Sequence, residues 1–475
     1  MLFNSFDFGF FLVIVYLAYW AIGSKRRTSQ NILLLLASYT FYGLWDWRFL
    51  GLLIASSLVD FIAARTIENS NKNTLRKIYL WLSITWNLGV LFTFKYFNFF
   101  LENFNELFGI AETQGYNFWN VVIPVGLSFY TFQTMSYTID VYRKKQSPTT
   151  NLLEFLCFVS FFPQLVAGPI EKARHLLPQF EKKRIFKLDE TIIGLRQILW
   201  GLFKKIIVAE KLGIAVTMAF SAPESYHGLT LLFACVLFCF QVYCDFSGYT
   251  DIAIGTARLF GFKLSINFNL PYLSRSLSEF WQRWHITLTR WFTDYVYIPI
   301  VKSARKITDA LRAFGLLITM TLVGLWHGAN WTFICFGIFN GIVLVLERIP
   351  IFRNKKNLQN KLQGIPRIMS LVYLFMISSL SALLFRAIDI EQAGFILKKI
   401  VTFTSNGAIT TLIGYKLLYL VFLLAAEVYT RKWEFPLEKL ESKISRPARW
   451  VIYYALIIII IRYAEPKEAF IYFQF

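Results

Sequence analysis

Two histidines in apolar surroundings are the groups of this chain best suited to chemistry. His327 stands in Gly324-Leu325-Trp326-His327-Gly328-Ala329-Asn330-Trp331 and is the only Asp, Glu, His, Lys or Arg between Arg312 and Glu347. His285 stands in Glu279-Phe280-Trp281-Gln282-Arg283-Trp284-His285-Ile286-Thr287-Leu288-Thr289-Arg290-Trp291-Phe292-Thr293-Asp294-Tyr295. An imidazole, with a reference pKa of about 6.5, can take the proton of a hydroxyl as that oxygen attacks an activated acyl group, with no covalent enzyme intermediate. Glycines 324 and 328 would let a backbone or a ligand approach the His327 ring. If that segment is helical, Asn330 shares the face of His327 and could fix its tautomer; the competing reading is a structural histidine bonded to a carbonyl. In the second segment helical spacing puts Trp281, Trp284 and His285 on one face, with Trp291 a heptad after Trp284. Such a face lines a cavity, or it is the aromatic belt of an interfacial helix whose Arg283 and Arg290 serve lipid headgroups.

Two further segments break the apolar pattern. Gln241-Val242-Tyr243-Cys244-Asp245-Phe246-Ser247-Gly248-Tyr249-Thr250-Asp251 predicts an interrupted helix whose exposed backbone lines a polar cavity, with Gln241, Asp245 and Ser247 as candidate substrate contacts. Either carboxylate could instead cap a following helix or pair with an arginine such as Arg258 or Arg275, and for Asp251 that is the preferred reading. Phe161-Phe162-Pro163-Gln164-Leu165-Val166-Ala167-Gly168-Pro169 predicts a re-entrant turn. His175 and His227 lie in polar segments and read as ordinary loop residues. There is no G-x-S-x-G elbow, Walker loop, G-x-G-x-x-G or H-E-x-x-H. Cys157, Cys235, Cys239, Cys244 and Cys335 lack paired zinc spacing, so no metal is expected.

The elements that must position these groups are membrane helices. Of 475 residues 56% are apolar, 18% aromatic and only 16% charged, and the mean hydropathy is +0.49. A soluble domain carries roughly 25% charged residues. The formal charge of +20 gathers in short loops such as Lys25-Arg26-Arg27, Arg143-Lys144-Lys145, Lys182-Lys183-Arg184 and Lys355-Lys356. That is the pattern of cytoplasmic loops facing an anionic leaflet, and it argues against nucleic acid as the partner. The first apolar run, 6–22, is followed rather than preceded by basic residues, so the N-terminus is expected outside and the span retained. Apolar runs recur through 448–462, several too short to cross, and the expectation is roughly eleven true spans with re-entrant and interfacial helices besides. Residues 98–117 read as an outward loop; 171–190 and 348–367 read as cytoplasmic. No internal repeat is visible.

Taken together, the Trp326-His327-Gly328 motif with Asn330-Trp331, the segments 280–285, 245–251 and 162–169, and the terminal Phe470-Ile471-Tyr472-Phe473-Gln474-Phe475 resemble the membrane-bound O-acyltransferase (MBOAT) superfamily, in particular its bacterial alginate O-acetylation branch. The resemblance covers nearly the whole chain. It implies an all-α, polytopic integral membrane fold, a ring of helices around a tunnel. One domain, 1–475, would hold N-terminal helices in 1–145, a catalytic core in 146–350 and C-terminal helices in 351–475. It implies His327 and His285 as catalytic, with Trp281, Trp284, Asn330, Trp326, Gln241, Asp245 and Ser247 as candidate substrate contacts and no metal. The expected activity moves an acyl group, acetyl by preference, from a cytoplasmic thioester to a hydroxyl of a cell-envelope polysaccharide. Acetyl-CoA is the expected donor and no permanently bound cofactor is implied. An extracytoplasmic acetyltransferase is the expected partner, and the bacterial inner membrane is the expected location of this protein. D-alanyl transfer from the phosphopantetheine thioester of an acyl carrier protein is the near alternative. A transporter or channel, or a scaffold for an envelope complex, is the alternative without acyl chemistry.

Overall fold

A computed structural model describes residues 3–109, 123–348, 365–403 and 417–463. The terminal motif 470–475, the Lys355-Lys356 loop, residues 110–117 and residues 349–364 lie outside the described residues, while 98–108 of the loop expected at 98–117 are helical. Among the described residues every regular element is helical. The order is α1 (Phe6–Ile22), α2 (Arg27–Asp46), α3 (Arg48–Asn69), α4 (Asn73–Leu91), α5 (Phe97–Phe108), α6 (Leu127–Tyr142), α7 (Leu152–Ser160), α8 (Phe162–Leu165), α9 (Ala173–Glu181) and α10 (Leu188–Leu202). After a π-helical stretch, Phe203–Ala209, come α11 (Glu210–Ser221), α12 (Gly228–Leu259), α13 (Leu277–Arg283), α14 (Ile286–Phe292), α15 (Ile298–Lys302), α16 (Asp309–His327) and α17 (Trp331–Leu346). The series ends with α18 (Ile365–Arg386), α19 (Ile390–Val401), α20 (Leu417–Tyr429) and α21 (Arg446–Tyr463). Side-chain caps start several of them: Ser5 accepts from Phe8 N, Asn151 from Leu153 N, Thr308 from Leu311 N and Asp389 from Gln392 N.

Among the described residues four helices are long and apolar enough to cross a bilayer: Arg48–Asn69, Gly228–Leu259, Asp309–His327 and Arg367–Arg386, and shorter apolar helices lie at Phe6–Ile22, Trp331–Leu346 and Leu417–Tyr429. Large apolar side chains such as Phe10, Leu17, Met376 and Ile458 point outward, which suits lipid as the solvent. The chain is an all-helical, multi-pass membrane protein. Fewer segments meet the crossing criterion than the apolar runs suggested, because several runs bury polar groups or end early. Helix α2 buries Gln30, Asn31 and Ser38, and α7 stops after nine residues.

The backbone packs as two compact units, Met1–Leu195 with Ile252–Ser265, and Arg196–Asp251 with Ile266–Phe475. Within the first, α3, α4 and α6 meet at Asp60, which is fully buried. Its carboxylate accepts from Ser83 Oγ, from Asn87 Nδ2 at 2.7 Å and from Thr138 Oγ1 at 2.7 Å. The segment expected as a re-entrant turn is a buried break between α7 and α8. Gln133 and Gln164 donate to the Phe158 carbonyl at 2.7 and 3.0 Å, and Ser38 Oγ accepts from Phe162 N at 3.1 Å, so the backbone freed by the break is met by side chains.

His175 and His227 make local bonds. His227 Nδ1 accepts from Leu229 N at 3.1 Å, at the start of α12. His175 Nδ1 lies 2.6 Å from the buried Glu171, whose hydrogen bond holds the imidazole pKa above its ordinary value. A raised folded pKa stabilises the fold fully below the unfolded value near 6.5, and the gain is lost as pH rises through the folded value. His175→Ala should therefore lower the melting temperature slightly at pH 6 and not at pH 9, the half-exposed ring keeping the effect small. Asp60→Leu removes the acceptor for three buried donors and should cost about 2 kcal/mol, read as a fall in melting temperature in detergent; Asp60→Asn should lose less.

Candidate functional site

The site is built by helix ends. Ser276 Oγ caps α13 by accepting from Glu279 N at 3.1 Å. The carboxylate of Glu347 accepts from Leu277 N and Ser278 N at 2.7 and 2.9 Å and from Tyr373 Oη at 3.0 Å, fixing where α13 begins. The continuous helix expected over 279–295 is not found. Helix α13 ends at Arg283, Trp284 is extended, and His285 takes a left-handed backbone with φ +40° before α14 starts. The reason is distant in sequence: Asn269 N donates to the Arg283 carbonyl and Ile286 N to the Asn267 carbonyl, both at 2.9 Å, so another segment takes the hydrogen bonds a continuing helix would use. Asn267 Oδ1 accepts from Thr287 N and Oγ1 at 3.1 and 2.9 Å, which orients the amide, and His285 Nδ1 lies 3.2 Å from the same oxygen. Nδ1 is thereby assigned the proton and Nε2 the basic lone pair.

His327 is the last residue of α16, and α17 turns back beside it. The turn is tight because Gly324 sits against the Phe333 carbonyl and Gly337, where a Cβ would collide with backbone. The His327 ring packs 4.9 Å from Trp326, 5.0 Å from Phe385 and 5.8 Å from Phe336. Trp326 is also 5.8 Å from His285, so one buried indole touches both imidazoles, and the two histidine motifs meet in space. On its other side His285 packs edge-on against Phe246 at 4.7 Å.

A cavity is lined by His327, Trp281, Trp284, Phe336 and Phe385, with Asn340, Ser378 and Ser381 as polar groups. His327 is 3% exposed and lines this cavity; His285, at 0%, is not among the lining residues and packs against Trp326. Of the predicted contacts, Trp281 and Trp284 line the cavity and Trp326 lies between the histidines. Asn330 does not share a helical face with His327, because the helix has already ended. It caps α17 through Thr332 N at 3.0 Å and donates to the Ile388 carbonyl at 3.0 Å. Gln241 is buried on α12, and its Oε1 has no hydrogen-bond partner among the described residues.

The break expected at Ser247-Gly248 is absent: α12 runs unbroken from Gly228 to Leu259. Gly248 serves close packing instead, since a Cβ there would lie 2.8 Å from the Gly201 carbonyl oxygen. The polar face of α12 is turned to two lysines of the π-helical stretch. Lys205 pairs with Asp245, and Lys204 Nζ reaches Asp251 Oδ2 at 2.5 Å and Ser247 Oγ at 2.9 Å. The partners are these lysines rather than Arg258 or Arg275. Buried Glu427 accepts from Tyr243 Oη at 3.0 Å. Lys204, Lys205, Asn340 and Ser378 were missed in the sequence; the available signal was a Lys pair, an Asn and a Ser within apolar runs, which is costly in a bilayer. Lys205→Met, which removes the cation facing a buried carboxylate, should cost about 3 kcal/mol, and adding Asp245→Leu should recover most of it in a thermal-unfolding cycle.

The family model described as MBOAT, membrane-bound O-acyltransferase family, matches residues 77–385. The chain is 38% identical over 349 residues to "Probable alginate O-acetylase AlgI" of Azotobacter vinelandii, covering 73% of this chain and 69% of that one. It is 32% identical over 430 residues to "Peptidoglycan O-acetyltransferase" of Helicobacter pylori, covering 84% and 80%. To "Teichoic acid D-alanyltransferase" of Streptococcus thermophilus it is 31% identical over 250 residues, 50% of this chain and 59% of that one. The match spans both histidine motifs and the walls of the cavity between them, and the chain belongs to the membrane-bound O-acyltransferase family.

Proposed function

We propose that this protein transfers an acetyl group from acetyl-CoA, entering from the cytoplasmic side, to a hydroxyl acceptor that leads to a cell-envelope polysaccharide. The observation that carries the reading is the His327 imidazole in the wall of an aromatic cavity, joined through Trp326 to the second histidine motif. His327 accepts the hydroxyl proton as the alcohol oxygen attacks the thioester carbonyl carbon. The new C–O bond forms, the C–S bond breaks, and the proton passes to the departing thiolate. His285 acts through Trp326, whose indole it packs against, and is a positioning residue. Asn330 is committed to Ile388 and the α17 cap, so the oxyanion donor is sought elsewhere in the cavity wall.

The names of the alginate and peptidoglycan relatives favour acetyl over D-alanyl, since the D-alanyl relatives match a smaller share of the chain. The acceptor is a polysaccharide or peptidoglycan hydroxyl, reached directly or through an extracytoplasmic acetyltransferase. The protein sits in the bacterial inner membrane with its N-terminus outside, a placement that the short basic loops support. Purified protein given labelled acetyl-CoA, or in parallel D-alanyl carrier protein, should turn over the first. Turnover of the second alone would favour the D-alanyl alternative, and neither would leave the transport reading. His327→Ala, expressed and folded normally, should lose about 10²–10⁴-fold in transfer, and unchanged turnover would defeat the assignment.

A further inference from the structure

The polar groups of the cavity beside His327 are unequally provided for. Asn340 is committed: its Oδ1 accepts from Trp281 Nε1 at 3.3 Å, and its Nδ2 donates to the Phe336 carbonyl at 2.9 Å and to Ser381 Oγ at 3.1 Å. Ser381 therefore has a partner. Ser378, one turn earlier on α18 and 7% exposed, has no partner for its hydroxyl among the described residues. A serine within a helix has a ready acceptor in the carbonyl four residues before it. This chain uses that acceptor at Ser38, at Ser57 and at the adjacent Ser379, which donates to the Phe375 carbonyl at 2.7 Å. The Ser378 hydroxyl does not take it, although its own backbone carbonyl receives the Cys239 thiol at 3.5 Å. Leaving a buried hydroxyl unmet is unfavourable, and a ligand that brings an acceptor removes the penalty.

We propose that Ser378 is a substrate-binding residue of the acyl-transfer site, donating a hydrogen bond to the carbonyl oxygen of the acyl thioester seated in this cavity. The inference rests on the acyl-transfer reading above and adds a contact to it. His327 and Ser378 both line this cavity, so a carbonyl carbon attacked by an alcohol that His327 activates would sit in the cavity whose wall includes the serine. A hydroxyl is compact and rotates to suit its acceptor. As the carbonyl carbon becomes tetrahedral its oxygen gains negative charge, and a bond already made to it strengthens.

The test uses the purified full-length protein and two non-cleavable acetyl-CoA analogues. In one, methylene replaces the thioester sulfur and the ketone oxygen is kept; in the other the carbonyl is also replaced by methylene. Wild type should bind the ketone roughly tenfold more tightly, the worth of one hydrogen bond. Ser378→Ala should bind the two within about twofold of each other. The near-isosteric pair Ser378→Thr and Ser378→Val gives the same reading should the alanine variant fail to fold: threonine should keep the preference and valine should lose it. A preference retained in Ser378→Ala or Ser378→Val, or absent from wild type that binds both analogues, overturns the assignment and leaves acyl transfer standing. Wild type that binds neither analogue overturns the acetyl-CoA reading and this inference with it.

Discussion

A polar group inside this protein has to find its partner within the protein, because lipid offers none. That constraint explains most of the architecture around the site. The Asp60 carboxylate gathers hydroxyl and amide donors from two other helices, and the break after α7 is closed by Ser38, Gln133 and Gln164. Asp245 and Asp251 are met by lysines from a neighbouring element. At these places the chain departs from simple apolar packing, and side chains supply the partners.

The same rule separates supporting polarity from functional polarity. The ion-paired residues Asp245 and Asp251 are not among those that line the cavity, and the Asn340 amide has its partners within the protein. The cavity wall holds one imidazole, the side chains of Asn340, Ser378 and Ser381, and indole and phenyl rings. On the acyl-transfer proposal, an aromatic wall would keep water away from a proton passing between an alcohol and the imidazole, and would favour transfer to an alcohol over hydrolysis.

Much of this was legible in the sequence, and the limits have physical causes. His327 and His285 stood out because an ionisable group amid apolar residues needs a reason, and the short basic loops identified the bilayer. Their meeting through Trp326 was not legible, since it depends on α16 ending where α13 breaks. The break at His285 was hidden because the periodicity of 279–295 favours one helix. It is imposed by Asn267 and Asn269, whose backbones compete for the same hydrogen bonds. Ser247-Gly248 misled in the opposite direction: glycine signals a break or a close approach with the same letter, and here Gly201 lies against it. The lysine partners of Asp245 and Asp251 required knowing which helices are neighbours.

The buried charges on α12 have a further consequence for the reacting groups. Successive residues of a helix point about 100° apart, and α12 spends its faces accordingly. Phe238, Cys239 and Val242 line the cavity, Phe246 supports His285, and Asp245 and Ser247 hold the lysines. Rotation by a single residue would empty the cavity wall, remove the ring behind His285 and separate Lys204 and Lys205 from their carboxylates. Apolar contacts alone would resist that weakly, because one phenyl packs nearly as well as another. A buried carboxylate stripped of its cation costs several kcal/mol, so the pairs act as a register for the helix. They fix the face that α12 presents to the cavity and to His285.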